Sequence, residues 1–401
     1  MRQKRPAGIR KAAALLAAVL MLCSGCGNSG RAESGGDAYL DADPEISSEK
    51  QIDMKLQSLT LQQKVAQMFV VTPDALTGVQ GTTVCGDITR DALSRLPVGG
   101  LYFLRENLQN ADQTVYMLQQ TRQVSRDLTG LPMFFFTDEE GGAVTTVSGN
   151  EGFPEIPQTS SMAVIGTTGN PVQARSAGET IGGYLCELGF NVDFAPDADV
   201  LSDPANQSVG TRSFGSDPQM VGDMAVSMGE GLESRGVIAC YKYFPGQGAA
   251  ADAAHGGYAY SNKTLEQLQE CELVPFQKAI DAGAQMIMVA HMSLPNVIGY
   301  TIPASLSPYL LQNILRQQMG FDGIIITDAM NTGAIAESYT SADAAVQAVR
   351  AGADMILMPD DLWGAYTAVV HAVENGQISE KQIDDAVRRI LLVKAQLDED
   401  S

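Results

Sequence analysis

Positive charge is scarce in this chain: 26 Lys and Arg stand against 47 Asp and Glu among 401 residues, a formal net charge of -21. So acidic a surface repels phosphate backbones, which argues against nucleic acid as a partner. Cysteine is sparse beyond the N-terminal segment. Cys85, Cys186, Cys240 and Cys271 form no Cys-x-x-Cys pair and no cluster with histidine, so no structural zinc site is expected. No ligand spacing for calcium stands out either, and no metal or organic cofactor is implied. No Gly-x-Gly-x-x-Gly follows an early apolar run, which removes the mark of a dinucleotide-binding, doubly wound sheet. Tryptophan occurs once, whereas glycine reaches 40, which suits an α/β fold with many tight loops. What is plentiful is apolar material: 45% of residues are hydrophobic and 18% charged. Such a chain buries a large core and is not disordered. Its length allows one large α/β barrel or two to three smaller domains.

The first residues read as an address. Arg2, Lys4, Arg5, Arg10 and Lys11 precede the apolar run Ala12 to Leu22, the two halves of a secretory signal. That run is too short to span a bilayer as a stable helix. Cys23-Ser24-Gly25-Cys26-Gly27 resembles a bacterial lipoprotein processing site with Cys26 as the lipidated residue, although an aliphatic residue is usual where Cys23 stands. Residues 1–25 are therefore expected to be a lipoprotein-type signal and residues 26–47 a flexible tether rich in Gly, Ser, Asp and Glu. Residues 48–401 form the folded body. The expectation is an exported monomer, held to the outer face of the cell membrane by lipid, with simple secretion as the alternative. Cys186 and Cys240 lie in apolar stretches and read as buried thiols; an exported chain permits a disulfide, which the sequence does not assign.

Eight apolar runs recur along the body: Met68 to Val71, Gly100 to Phe103, Met133 to Thr137, Val192 to Ala195, Val237 to Cys240, Met286 to Ala290, Gly323 to Thr327 and Met355 to Met358. None alternates with polar residues, as expected of parallel strands buried on both faces. Amphipathic helical segments separate them, so the expected fold is α/β, a single (β/α)8 TIM-type barrel. Near the end, Gly376 closes one helix. Ser379 and Gln382 have the spacing of a capping box, and Ile378 and Ile383 that of a hydrophobic staple, opening a last helix from Glu380 to about Leu397.

A barrel carries its chemistry on the loops leaving the C-terminal ends of its strands. Four runs deliver polar residues there: Asp138-Glu139-Glu140-Gly141-Gly142 after the third, Lys242 after the fifth, His291 after the sixth and Asp328 after the seventh. Asp328 ends a run whose only other polar residue is Thr327; it is read as catalytic rather than as a helix cap. Lys242 needs an anion or a polar ligand beside it, since an unpaired ammonium is costly to bury. His291 is either a functional imidazole or a satisfied core histidine. Asp138 and Glu140 are suited to gripping hydroxyls or a partner cation.

Several segments together resemble glycoside hydrolase family 3. They are Asp138 to Val144, Thr211-Arg212-Ser213-Phe214-Gly215, Lys242-Tyr243-Phe244-Pro245-Gly246-Gln247-Gly248, Pro303 to Ser307, and Gly320 to Gly323 with Asp328-Ala329-Met330. The similarity runs from about Leu59 to Leu397 and is greatest to bacterial β-N-acetylhexosaminidases acting on peptidoglycan-derived sugars. It implies a retaining reaction on a carbohydrate substrate, with Asp328 as the nucleophile that forms a glycosyl-enzyme. It further implies that Asp138, Arg212, Lys242 and His291 hold the sugar. The acid/base loop departs from the pattern Lys-His-Phe-Pro-Gly-His-Gly followed by Asp-Ser-His. Tyr243 and Gln247 replace its two early histidines, Ala253 replaces the dyad aspartate, and Ala143 stands where an arginine is usual. His255 persists at the proton-donor position. Asp252 is the one candidate partner for its ring, and Tyr243, at the sugar site, is an alternative donor.

Two functions follow from the resemblance. One is an exported glycosidase releasing terminal β-linked N-acetylglucosamine. The other is a sugar-binding protein on the same barrel with weakened catalysis, because loss of general acid help costs about 10²–10⁴-fold. A changed sugar preference, and phosphate in place of water as acceptor, are further expectations to test.

Overall fold

A computed structural model describes residues 48–250 and 259–399. The signal, the tether and Cys26 lie outside the described residues, as do Asp252 and His255.

The eight runs become eight strands: β1 (Phe69–Val71), β2 (Gly100–Tyr102), β3 (Phe134–Thr137), β4 (Val192–Asp193), β5 (Ile238–Phe244), β6 (Met286–Val289), β7 (Ile324–Thr327) and β8 (Ile356–Leu357). Every neighbouring pair from β1 to β7 is parallel, β8 pairs parallel with β1, and a bridge between Ile326 and Met355 joins β7 to β8. The sheet thereby closes, and the expected (β/α)8 barrel is the fold. Apolar strand residues serve both faces, and the strand interiors are fully buried, as a barrel wrapped by helices demands.

The barrel interior is aromatic below the site. Phe136 stacks on Phe194 with centroids 4.9 Å apart, and the Tyr102 ring leans on Phe194 at 5.5 Å. Gly100 admits the Phe136 ring, which a Cβ there would meet at 2.5 Å. Pleating then decides which residues of β5 face inward. The Tyr241 hydroxyl sits against Gly229 of the helix Pro218–Glu233, where a Cβ would meet it at 2.0 Å, so Tyr241 points outward. Its neighbours Cys240 and Lys242 point into the barrel.

Three expectations change in detail. β5 runs on to Phe244, so Lys242 and Tyr243 belong to the strand instead of following it. The chain after β4 keeps pairing there: the Lys242 N–H donates to the Pro196 carbonyl at 3.1 Å, and the Ala198 N–H donates to the Lys242 carbonyl at 2.5 Å. Cys240 is buried, but Cys186 is exposed, because it lies in the last turn of the helix Pro171–Leu188 on the side away from the core. The four described cysteines are free thiols. The helix Glu380–Glu399 starts as expected, with Gln382 N–H donating to Ser379 Oγ at 3.2 Å and both Ile378 and Ile383 buried. The Gln382 carboxamide instead donates to the Val349 carbonyl at 2.5 Å, so the box is made in one direction only. Among the described residues no helix is long and apolar enough to cross a membrane.

Candidate active site

The hub of the C-terminal rim is Lys242. Its Nζ donates to Asp138 Oδ1 at 2.5 Å and lies 2.6 Å from Glu140 Oε1. Burial lowers the pKa of this ammonium, but Asp138 and Glu140 outweigh it and push it well above the usual lysine value. Glu140 in turn accepts from Arg212 Nε at 2.8 Å and Nη2 at 2.6 Å, a two-point grip. Burial raises the Glu140 pKa, but Lys242 and Arg212 outweigh it and hold the carboxyl below its ordinary range. Arg212 Nη2 also donates to the Tyr243 hydroxyl at 2.8 Å, and the guanidinium lies 5.1 Å from the centre of that ring. Asp138 completes the cluster by accepting from the Tyr102 hydroxyl at 2.6 Å.

A short hairpin positions the two acids. Residues Glu139–Gly141 pair with Val144–Thr145, so Asp138 and Glu140 fall on one side and Glu139 on the other. Glu139 is the peg: it accepts from the N–H groups of Thr146, Val147 and Ser148 at 2.8, 2.7 and 3.1 Å, from the Ser148 hydroxyl, and from the Tyr184 hydroxyl at 2.9 Å. Mutual spacing, not the composition of the turn, assigns the three acids different tasks.

Across the rim, Asp328 follows β7. Its N–H donates to the Val289 carbonyl at 2.9 Å, and its Oδ1 accepts the Ala329 N–H at 2.7 Å, which orients the carboxylate. His291 follows β6 and is buried. Nε2 lies 3.1 Å from the Ala329 carbonyl, which can only accept, so Nε2 carries the proton; Nδ1 then accepts from the Ser305 hydroxyl at 2.7 Å. Burial lowers the His291 pKa against the pull of Asp328, so the ring stays neutral and fixed as one tautomer. Asp328 also acts on Tyr243: burial raises the phenol pKa, Lys242 and Arg212 oppose that, and the Asp328 charge adds to the rise.

The segment after β4 supports the site from below. Asp197 lies 3.6 Å from Arg212 Nε, and burial raises its pKa to about 6 although Arg212 opposes the shift. Asp199 Oδ1 accepts the Gln247 N–H at 2.8 Å; burial and then Asp197 raise its pKa well above the usual range. Asp193 is raised in the same way by burial and then by Glu139, and its Oδ1 accepts the Glu139 N–H at 2.9 Å. Gly248 is pressed against this segment so closely that a Cβ would lie 1.5 Å from the Val200 carbonyl oxygen.

The structure thus brings Asp138, Lys242, Arg212 and Tyr243 into one hydrogen-bonded cluster, and sets His291 beside Asp328. It also engages Arg212 and Lys242 with Glu140, a partner that spacing alone did not assign them. Tyr102, Asp197, Asp199 and Ser305 were not identified as site residues in sequence. A run Asp193 to Asp199 with three acids after an apolar strand was the available signal for two of them. Among the described residues, no group of three or more His, Cys, Asp or Glu is arranged to hold a metal ion.

A closed parallel barrel with a carboxylate, a fixed neutral imidazole and a charge-paired cation cluster on its C-terminal rim is the architecture of a barrel enzyme with a polar site. Residues 60–393 match the family model described as the glycosyl hydrolase family 3 N terminal domain, and the chain belongs to that family. It is 29% identical to a β-hexosaminidase A of Pseudoalteromonas piscicida, over 78% of this chain and 55% of that protein. To a β-hexosaminidase of Stenotrophomonas maltophilia (strain R551-3) it is 31% identical, over 71% of this chain and 82% of that one. The solved structure of a family 3 β-N-acetylglucosaminidase from Paenibacillus sp. str. FPU-7 superposes with a TM-score of 0.80 at 32% identity, covering 86% of this chain and 64% of the other. The chain therefore spans little more than half the length of the first of these relatives and about two thirds of the chain in that solved structure.

Proposed function

We propose that this protein is an exported, lipid-anchored monomer that hydrolyses terminal β-linked N-acetylglucosamine from cell-wall or other glycans, with retention of configuration. The observation that carries the reading is Asp328: a strand-end carboxylate oriented by a backbone N–H, whose charge acts on Tyr243 of the Asp138–Lys242–Glu140–Arg212 cluster. The names of the relatives support the sugar, and the order of the strand-end residues supports the mechanism.

In this mechanism Asp328 Oδ2 bonds to the anomeric carbon as the bond to the leaving oxygen breaks, and that oxygen takes a proton from His255. Water, deprotonated by the same histidine, then releases the sugar from Asp328. Asp138 and the exposed edge of Arg212 grip sugar hydroxyls, while Lys242 and Glu140 hold those two groups in place. Neutral His291 keeps the Asp328–Ala329 backbone in register and adds no positive charge that would quench the nucleophile.

Release of a fluorescent phenol from an aryl β-N-acetylglucosaminide by the full chain, beside Asp328→Asn, tests this reading. An activated phenol needs little proton donation, so the experiment isolates the nucleophile. The expected loss is about 10⁴-fold or more. No turnover by the native chain, with sugar binding intact by calorimetry, would establish the binding-protein alternative. Rates that rise with added phosphate would make phosphate the acceptor.

A further inference from the structure

Tyr102 ends β2, and its register partner on β3 is Phe136. Side chains alternate along a strand, so Asp138, two residues beyond Phe136, falls on the same inner side of the barrel. The Tyr102 ring leans on Phe194 there, with centroids 5.5 Å apart, and its hydroxyl rises to donate to Asp138 Oδ2 at 2.6 Å. Lys242 Nζ takes the other oxygen, Oδ1, at 2.5 Å. A donor on each oxygen fixes the plane of the carboxylate, which a single donor leaves free to turn about its Cβ–Cγ bond. Burial, and then the charge of Asp138, raise the phenol pKa above its usual value, so the hydroxyl stays a donor. An ionised carboxylate offers about four acceptor sites, and two of those on Asp138 are spent on Tyr102 and Lys242. The remainder is open to a ligand: the Asp138 side chain is 25% exposed, against 1% for that of Lys242, and Tyr102 is buried.

We propose that Tyr102 is a positioning residue that sets the plane of the Asp138 carboxylate, and thereby decides how strictly the site demands the sugar hydroxyl that Asp138 grips. The Lys242 ammonium is a point charge with three rotatable donors and holds Asp138 over a range of angles, whereas the single O–H of Tyr102, on a ring packed against Phe194, holds it at one. A carboxylate fixed on both sides presents a rigid acceptor. A sugar lacking the matching hydroxyl leaves that acceptor covered and unpaired, which is the costly case. The inference rests on the reading of the chain as a glycosidase in which Asp138 grips a sugar hydroxyl.

Tyr102→Phe removes the hydroxyl and keeps the ring. In the full chain, kcat/KM is measured for an aryl β-N-acetylglucosaminide and for its 3-deoxy, 4-deoxy and 6-deoxy analogues. Asp138→Asn assigns the hydroxyl, because the analogue on which that substitution costs least is the one that lacks it. Tyr102→Phe is expected to lower kcat/KM for the parent glycoside about tenfold, the lower end of what a hydrogen bond to a charged group contributes, and to change that for the assigned analogue by less than about twofold. The other two analogues are expected to fall as far as the parent. An equal fall on every glycoside for either variant, or no fall for Tyr102→Phe, overturns the proposal, since a general loosening of the barrel does not depend on which sugar hydroxyl is present. A crystal structure of Tyr102→Phe reads the carboxylate without turnover. Asp138 is expected to turn about its Cβ–Cγ bond, away from the place of the lost hydroxyl, while Glu140 and Arg212 keep their contacts. A carboxylate that keeps its plane overturns the proposal even if the native chain turns over none of the glycosides, a result that by itself would reject only the glycosidase reading.

Discussion

Glu140 and Arg212 are 72 positions apart and meet in a two-point carboxylate–guanidinium pair, at 2.8 Å to Nε and 2.6 Å to Nη2. The same Glu140 carboxylate lies 2.6 Å from Lys242, so one buried anion holds two buried or half-buried cations. This arrangement makes Glu140 the pivot between the third and fifth strands of the barrel.

Removing that charge leaves Lys242 buried with one counter-ion fewer. Glu140→Gln is therefore expected to cost about 3–5 kcal/mol of stability, the usual consequence of breaking a buried pair from one side. Urea denaturation followed by circular dichroism measures it, and a midpoint equal to the native one would show that the pair is dispensable.

In the proposed mechanism His255 donates the proton, so the effect of its removal must depend on the leaving group. His255→Ala is expected to slow the release of alkyl aglycones by about 10²–10⁴-fold in kcat/KM and to spare activated phenols. Equal loss on both would move the donor role to another residue, with Tyr243 the first to examine.

Stability should fall as pH rises through about 6 to 7. Burial raises the pKa of Asp197 to about 6 from its ordinary 3.8, and that of Glu233, with Glu230 adding to it, to about 7 from 4.5. Asp193 and Asp199 shift in the same direction. Each group binds its proton more tightly folded than unfolded, so each contributes stability that is present at low pH and is lost as pH rises through its folded pKa. His291 acts oppositely, but only below about pH 6.5, where the unfolded imidazole takes a proton that the buried one refuses. The melting temperature is thus expected to be higher at about pH 6 than at about pH 8. A calorimetric scan with equal or rising values toward pH 8 would refute this.

The proposed anchor has its own test. Cells fed a labelled fatty acid should label the native protein but not Cys26→Ser, which should appear in the soluble fraction. Labelling that survives the substitution would remove Cys26 from the lipidation site.

Much of the barrel was legible in the residues themselves. Phe134 to Thr137 and Ile324 to Thr327 have the unbroken apolar pattern of strands buried on both faces, as in a parallel sheet, and turn residues fix where such runs stop. Gly376, with φ of 72°, and Ser379, which caps its neighbour Gln382, mark a helix end and a helix start through contacts within a few positions. Strand ends then put Asp138, His291 and Asp328 on one rim and brought Lys242 to within two residues of its place, because pleat and direction are local properties. The partners of these residues were decided by tertiary structure alone. Glu140 chose Arg212, the Ala329 carbonyl chose the His291 tautomer, Asn206 reached the Gln247 carbonyl, β5 outran its apolar run, and Cys186 turned to solvent. Each outcome depends on which loops pack against each other after the barrel closes, and the energy of a buried polar contact is set by neighbours that lie far away in sequence.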